Sequence, residues 1–360
     1  MDLPGVAKDG AEVDAELELV HADSLRFFPD LVADLGGDAD ALMRGAGVDP
    51  AMFTTPGSGV GYRAMANLLE RAAMDLRRPD FGMRLARLQG GGRVFGPMGV
   101  VMQNSNTLGE ALAYVEKHIH AYSLAGRMRI EPDREDRKVV VAMEILLDRL
   151  PNKQQAMEHA LLLGHLNAVE STGGRARVRE VLFRHQPISS LRSYRDYFGC
   201  EVRFDQQMDA LVFAERDLGY PIADPDVRLY QWATSFIDTN FTRITPPMHA
   251  RVRGLILQYL GRDDCTNERV AGELCLHPRT LHRRLKDEGT SFEAIKDEVR
   301  RDLALCNLQQ GDMPLTRIAE KLGYAETSVL SRSCCRWFAA SPRRLRSQAR
   351  LAREQQRALG

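Results

Sequence analysis

A chain of 360 residues, 44% hydrophobic, is long enough for two or three domains and ordinary for a soluble globular fold. No apolar run approaches the roughly 18 residues that span a bilayer, and the acidic start is wrong for a secretion signal, so the expected compartment is the cytoplasm. The zero formal charge hides a division: from Met248 onward 21 Lys and Arg stand against 14 Asp and Glu, and the remainder carries 28 against 35. The basic part suits a polyanionic partner, while the acidic part should face away from phosphate. Cys200, Cys265, Cys275, Cys306, Cys334 and Cys335 show neither metal-ligand spacing nor a disulfide framework.

In chain order, residues 1–20 are polar and patternless and are expected to be loosely ordered. His21 to Gly47 reads as mostly helical, with Leu25, Phe28, Val32 and Leu35 at apolar spacing and a short helix from Ala39 to Arg44. Tyr62 to Arg77 is a stronger helix, and Pro79-Asp80-Phe81-Gly82 opens another. Gly90-Gly91-Gly92 and Gly96-Pro97 bracket an expected flexible connection; no Gly-Lys-Ser/Thr follows, so it is not a phosphate loop. Thr107 and Glu110 form a capping box for a helix to Tyr122. Met128–Ile130 and Lys138–Leu147 read as a hairpin, Lys153 to Thr172 as a long helix, and Arg177–His185, Val202–Phe204 and Ala210–Glu215 as strands, the last two joined near Met208-Asp209. The pattern gives an α+β domain with a mixed or antiparallel sheet and packed helices.

Candidate chemistry in this part is weak. Glu158-His159 lacks a second histidine four residues on, since His165 lies six away, and His118 and His120 on one helix would point to nearly opposite sides. No catalytic residue or metal ligand is assigned, and no cofactor. Cys200 is a conceivable nucleophile, with only Arg203 nearby to lower its pKa.

Prolines 221, 225, 246 and 247 interrupt the passage to the basic part. Between them a helix from about Val227 to Asn240 carries Leu229, Trp232, Ala233 and Phe236 at helical spacing, either packing on the first domain or joining a dimer interface. A helix from His249 to Gly261 opens the basic part.

Thr266 to Leu345 then writes one helical pattern twice. Val270-Ala271 with Leu274, then Leu281 and Leu285, matches Ile318-Ala319 with Leu322, then Leu330 and Cys334, with one extra residue in the second turn. Each copy reads as a helix-turn-helix: the small Ala permits close helix crossing, Pro278 suits a first helical turn and Gly323 a helix stop. The outer face of the second helix then carries Arg279, Thr280, His282 and Arg283 in one copy and Thr327, Ser328, Ser331 and Arg332 in the other. Arg suits bidentate contact with guanine, and hydroxyls serve base or phosphate, so these eight are the candidate DNA-binding residues. The bland alternative is two solvated faces in a helical bundle. Phe292 to Gln309, free of Gly and Pro, is a rigid linker that should place the two faces in successive major grooves.

Residues 266–345 resemble the AraC/XylS family of bacterial transcription regulators, through Val270-Ala271 with Leu274, Pro278 to Leu285, Glu288 to Phe292, Ile318-Ala319 with Leu322-Gly323-Tyr324, Ser331-Arg332, Arg336 with Phe338, and Ser341-Pro342. Leu330 and Cys334 depart from the usual Phe, and Cys335 from a common Lys. Leu42 to Asp226 resembles the "arabinose-binding"-type effector domain of one branch of that family, through Leu42-Met43-Arg44 with Gly47, Phe81-Gly82, Gly96 to Gly99, Thr107 to Leu112, Phe183-Arg184-His185, and Tyr197-Phe198-Gly199 with Phe204.

The resemblance implies a sequence-specific regulator, more an activator than a repressor, that binds double-stranded DNA in two blocks about one turn apart, recruits RNA polymerase and answers to an unknown small-molecule effector or to homodimerisation. It is not expected to be an enzyme, to touch a membrane or to leave the cytoplasm and nucleoid. The expected divisions are 1–20, a loose start; 21–226, effector binding and dimerisation; 227–247, a connecting helix and linker; 248–350, an all-α double helix-turn-helix domain; and 351–360, a tail. The alternatives are a DNA-repair methyltransferase acting through Cys200, and a ligand-independent DNA-binding protein.

Overall fold

The computed structural model describes residues 19–53, 59–147, 150, 152–241, 247–261, 265–310 and 313–358. Residues 1–18 of the expected loose start, Pro246 of the connection and residues 359–360 of the expected tail lie outside this set.

The first domain is α+β. Strand β1 (Leu19–His21) pairs antiparallel with β2 (Gly59–Gly61), a pairing that three-residue strands do not announce in sequence. Helices α1 (Phe28–Asp34) and α2 (Ala39–Gly45) lie between them. Asp38 caps α2 by accepting from the Ala41 amide at 2.9 Å. Helices α3 (Tyr62–Asp75) and α4 (Phe81–Gln89) follow as the spacing predicts.

The expected flexible connection is instead packed. The Gly91 amide donates to Glu170 at 3.0 Å, and a Cβ on Gly99 would lie 1.8 Å from the Gly92 carbonyl, so the glycines permit backbone contact. Gly99 belongs to α5 (Pro97–Asn104), a short apolar helix without a polar face and hence without a periodicity to read. Helix α6 (Leu108–His118) starts with Thr107 accepting from the Glu110 amide at 3.2 Å; the Glu110 carboxylate turns to Asn106 at 2.7 Å, leaving the capping box half formed.

The hairpin forms between β3 (Gly126–Asp133) and β4 (Lys138–Ile145). The long helix is α7 (Gln154–Ser171), and the expected strand over 177–185 shrinks to β5 (Glu180–Leu182). Helix α8 (Leu191–Phe198), of which only Tyr194 and Phe198 are buried, precedes β6 (Glu201–Arg203) and β7 (Asp209–Ala214). The sheet order is β3-β4-β7-β5-β6. The last two strands, adjacent in sequence, are therefore not adjacent in space: β5 sits between them, antiparallel to β7 and parallel to β6. A parallel neighbour needs a crossover, and α8 supplies it.

Helix α7 is buried on nearly all sides, so its polar groups need partners. Gln155 accepts from the Gly82 amide at 2.7 Å and donates to the Pro79 carbonyl at 2.7 Å. The Glu70 carboxylate accepts from the Gln155 amide at 2.9 Å, and Glu158 from the Tyr194 hydroxyl. Gln89 donates to the Ser24 and Arg26 carbonyls, each at 2.9 Å, which leaves its oxygen facing His159 Nε2 at 2.6 Å. That oxygen can only accept, so His159 carries its proton on Nε2.

Helix α9 (Val227–Phe241) packs on the first domain through Ala233 and Ile237. The predicted stripe is mostly on the other side: Leu229, Trp232 and Phe236 are exposed, Trp232 by 55%. Spacing alone marked an apolar face, and only the neighbours decide which apolar residues are covered.

The second domain is helical: α10 (Met248–Tyr259), α11 (Asn267–Glu273), α12 (Pro278–Asp287), α13 (Phe292–Gln310), α14 (Leu315–Lys321), α15 (Thr327–Phe338) and α16 (Pro342–Ala358). The residues from 351 to 358, expected as a tail, continue α16. One small core gathers Val270, Ala271, Leu281 and Leu285, another Ile318, Ala319, Leu322, Leu330 and Cys334. Leu260 and Leu303 touch both. Leu330 and Cys334 are fully buried, so they serve as core.

Two tests follow from this packing. Burial holds the His159 pKa down to about 4, below its ordinary 6.5, so its contribution is intact above pH 6.5 and is lost as pH falls towards 4. Burial raises Glu70 to about 7, which works in the opposite direction. The comparison is therefore with the His159→Gln variant: urea denaturation at pH 7 and pH 5 should show wild type losing about 2 kcal/mol more than the variant over that interval. In the turn after α11, Cys275 is held at φ 54, where the matching Gly323 has φ 65. Cys275→Gly should relieve that strain and raise stability by about 0.5–1 kcal/mol, read as a shift in the urea midpoint.

Candidate nucleic-acid interface

Each of the eight predicted residues sits on the second helix of its unit. In the first unit, Thr266 caps α11 by accepting from the Arg269 amide at 3.2 Å, and His277 caps α12 by accepting from the Arg279 amide at 3.2 Å. Leu281 and Leu285 point into the core, which turns Arg279, His282 and Arg283 to solvent and leaves Thr280 half-buried. Among the described residues these three exposed side chains have no hydrogen-bond or ion-pair partner that would hold them away from a ligand.

The second unit presents a different face. Arg332 is exposed and unpaired among the described residues, while Thr327 and Ser331 are half-buried. Ser331 donates to the Thr327 carbonyl at 3.1 Å, and Ser328 to the Glu326 carboxylate at 2.8 Å. Glu326 precedes α15, so an acid stands at the helix end that would otherwise attract phosphate. Two Arg and a His face outward in one unit, one Arg with hydroxyls in the other.

The linker helix α13 ties the units together with side chains that the sequence reading passed over. Asp297 accepts from Arg336 and, at 2.9 Å, from Trp337 Nε1, both on α15. One turn on, Arg300 donates to the Leu322 carbonyl at 2.8 Å and the Gly323 carbonyl at 3.2 Å, closing the end of α14, and lies 4.4 Å from the centre of the Tyr324 ring. Towards the first unit, Lys296 donates to the Cys265 carbonyl at 2.6 Å. Arg336 stands at a position of the family resemblance; Asp297 and Arg300 carry no sequence signal, because charges on a long helix usually mark a solvated face.

The first domain also touches the second, at α10, at the linker helix and at the second unit. Gly254 on α10 lies against Arg127 and Leu146, where a Cβ would come within 2.5 Å of the Arg127 guanidinium. Arg184 donates to the Leu257 carbonyl at 3.3 Å, and Gln154 to Cys306 Sγ at 3.8 Å. Lys321, the last residue of α14, pairs with Asp205.

The residues considered for chemistry are otherwise engaged. Burial raises Cys200 to about 11, with Glu180 and Glu201 adding to the shift, and Arg203 pairs with those same carboxylates at 3.6 and 2.8 Å. A thiol so protonated is a poor nucleophile. His118 and His120 are closer than one continuous helix would put them, with ring centres 6.1 Å apart, because the helix tightens to a 3-10 turn at Ile119. No cluster of three or more metal-ligating side chains occurs among the described residues. Nor is any helix among them long and apolar enough to cross a membrane.

Comparison with known proteins agrees with this layout. Residues 36–222 match the family described as the arabinose-binding domain of AraC transcription regulator, and residues 270–348 match a helix-turn-helix domain family. The HTH-type transcriptional regulator VirS of Mycobacterium tuberculosis is 31% identical over 330 residues, covering 91% of this chain and 96% of its own. The ornithine utilization regulator of Pseudomonas aeruginosa is 26% identical over 90% of this chain and 95% of its own. Among solved structures, the transcriptional regulator CdpR from Pseudomonas aeruginosa is 23% identical with a TM-score of 0.41, covering 86% of this chain and 96% of that one.

Proposed function

The chain belongs to the AraC family of helix-turn-helix transcriptional regulators, a family of DNA-binding proteins rather than enzymes, and from that premise we propose that it is an effector-controlled activator. The observation that carries the reading is the pair of outward faces, Arg279–Arg283 and Thr327–Arg332, held on one linker helix. Each face enters a major groove, and the fixed linker spaces the two blocks they read by about 10 base pairs. Arg283 and Arg332 are the principal base readers; Arg279, Thr280, His282, Thr327, Ser328 and Ser331 support them through base or phosphate.

Effector control is supported by the contacts between domains. Lys321–Asp205 joins the first domain to the second unit and Arg184–Leu257 joins it to α10, which packs on the core of the first, so an effector that favours one arrangement of that domain shifts the placement of the DNA-reading helices. A second copy of the chain covers the Leu229, Trp232 and Phe236 face of α9, which places two reading domains on repeated sites and presents them to RNA polymerase.

Genome-wide recovery of fragments bound by the full chain, at fixed salt and with or without a pooled metabolite extract, should enrich a site of two blocks one turn apart, with occupancy altered by the extract. Arg283→Ala and Arg332→Ala should each weaken a different block, by roughly 1–3 kcal/mol. Footprints that lose the same contiguous block in both variants would overturn the assignment. Trp232→Ala should lower the sedimenting mass to that of a monomer; an unchanged dimer would remove α9 from the interface.

A further inference from the structure

Between α5, α6, α7 and the sheet, the first domain encloses a cavity of about 110 Å³. Six methionines line it, Met65, Met98, Met102, Met128, Met143 and Met157, among leucines, valines and aromatic rings. The polar groups on its wall are mostly engaged. Glu144 faces Arg129 at 3.1 Å and Arg127 at 3.8 Å, His159 is bonded to Gln89, and Ser123 Oγ accepts from the Ala125 amide at 3.1 Å. Two acceptors on buried side chains have no hydrogen-bond partner, Asn167 Oδ1 and Glu144 Oε2, the latter with only the more distant Arg127 guanidinium.

This wall excludes ligand classes. A sugar would surrender the water around every one of its oxygens and find only two unpartnered acceptors, and an acid would meet no lysine or arginine on the wall. A small hydrocarbon or aromatic ring keeps its favourable transfer from water, and thioethers pack well on ring edges and adapt their shape. An apolar cavity of about 150 Å³ in another protein accepts benzene; the present one is smaller, and a ring fits it once the unbranched methionine side chains adapt.

We propose that this cavity is the effector site and takes a small neutral aromatic molecule bearing a single N–H or O–H donor, which bonds Asn167 Oδ1 while its ring lies among the methionines. The proposal rests on the reading that the first domain senses an effector, and it departs from the sugar that the domain family's description names.

The test is titration calorimetry on the full chain with indole, phenol, toluene, benzoate and arabinose, together with NMR of the methionine methyl groups. Indole and phenol should bind and shift the methyl signals of Met98, Met128 and Met143 by ring current. Toluene should bind about five- to tenfold more weakly than phenol, and Asn167→Leu should erase that preference. Ala168→Leu, which fills the wall, should abolish binding; if it fails to fold, the methyl shifts in wild type still decide. Binding of arabinose or benzoate, or methyl signals unmoved by millimolar phenol and indole, would overturn the proposal. If a metabolite fraction alters DNA binding while no neutral ring binds, effector control stands and this site falls. If phenol binds and neither it nor any fraction alters DNA binding, the cavity is a ligand site without control, and the proposal as an effector site is overturned.

Discussion

Asp297 and Arg300, one turn apart on α13, hold α15 and the end of α14 to the linker helix, and the DNA-reading geometry depends on that attachment. A second helix-turn-helix unit on its own core of eight buried side chains would be marginal, since a core so small supplies little burial. The unit borrows rigidity instead: Leu260 and Leu303 serve both cores, and the carboxylate and guanidinium of α13 complete backbone and side-chain groups at its edge. Hydrogen bonds involving charged groups are stronger than neutral ones, which suits them to orienting a recognition helix rather than merely attaching it.

The two units are alike in fold and unlike in surface. Arg279, His282 and Arg283 stand free on α12, whereas Ser328 is drawn to Glu326 and Ser331 to its own helix on α15. An arginine is a strong reader of guanine, and a hydroxyl already donating within the protein keeps only its acceptor side for a base. Under the proposed function, this asymmetry makes the first unit the main source of sequence discrimination and leaves Arg332 as the chief reader of the second. Both faces lie away from the acidic first domain's contacts, which include Gly254, Leu257, Cys306 and Lys321. The effector control proposed above would therefore act on the frame without blocking the reading surface.

Within the first domain, α7 is the element that organises both stability and the cavity. The Gln155 amide binds Glu70 on α3, and the Gln155 and Glu158 side chains bind α4 and α8, through hydrogen bonds that water cannot replace once buried. Further along, Asn167 and Ala168 turn to the cavity wall. One helix thus joins the packed side of the domain to the hollow one, and Tyr114 on the neighbouring α6 meets Tyr230 on α9 with ring centres 6.5 Å apart.

The sequence by itself determined the repeated units, the rigid linker, the charge division and most helices, because these are written in local periodicity: Ala271 and Ala319, Leu281 and Leu330 recur in register whatever surrounds them. It also supplied the outward faces, since an inward Leu281 and Leu285 fix where Arg283 must point. Local pattern could not reveal which strand neighbours which, that Gly90–Gly96 is packed, that Trp232 is bare, or that Asp297 meets Trp337. Those depend on residues 40 positions apart for the last pair and on whole neighbouring elements for the rest, and sequence spacing records only what one segment can do alone. The cavity belongs to the same class. Methionine spacing in five separate elements carries no sign that the side chains converge, and only the tertiary structure brings them round one space.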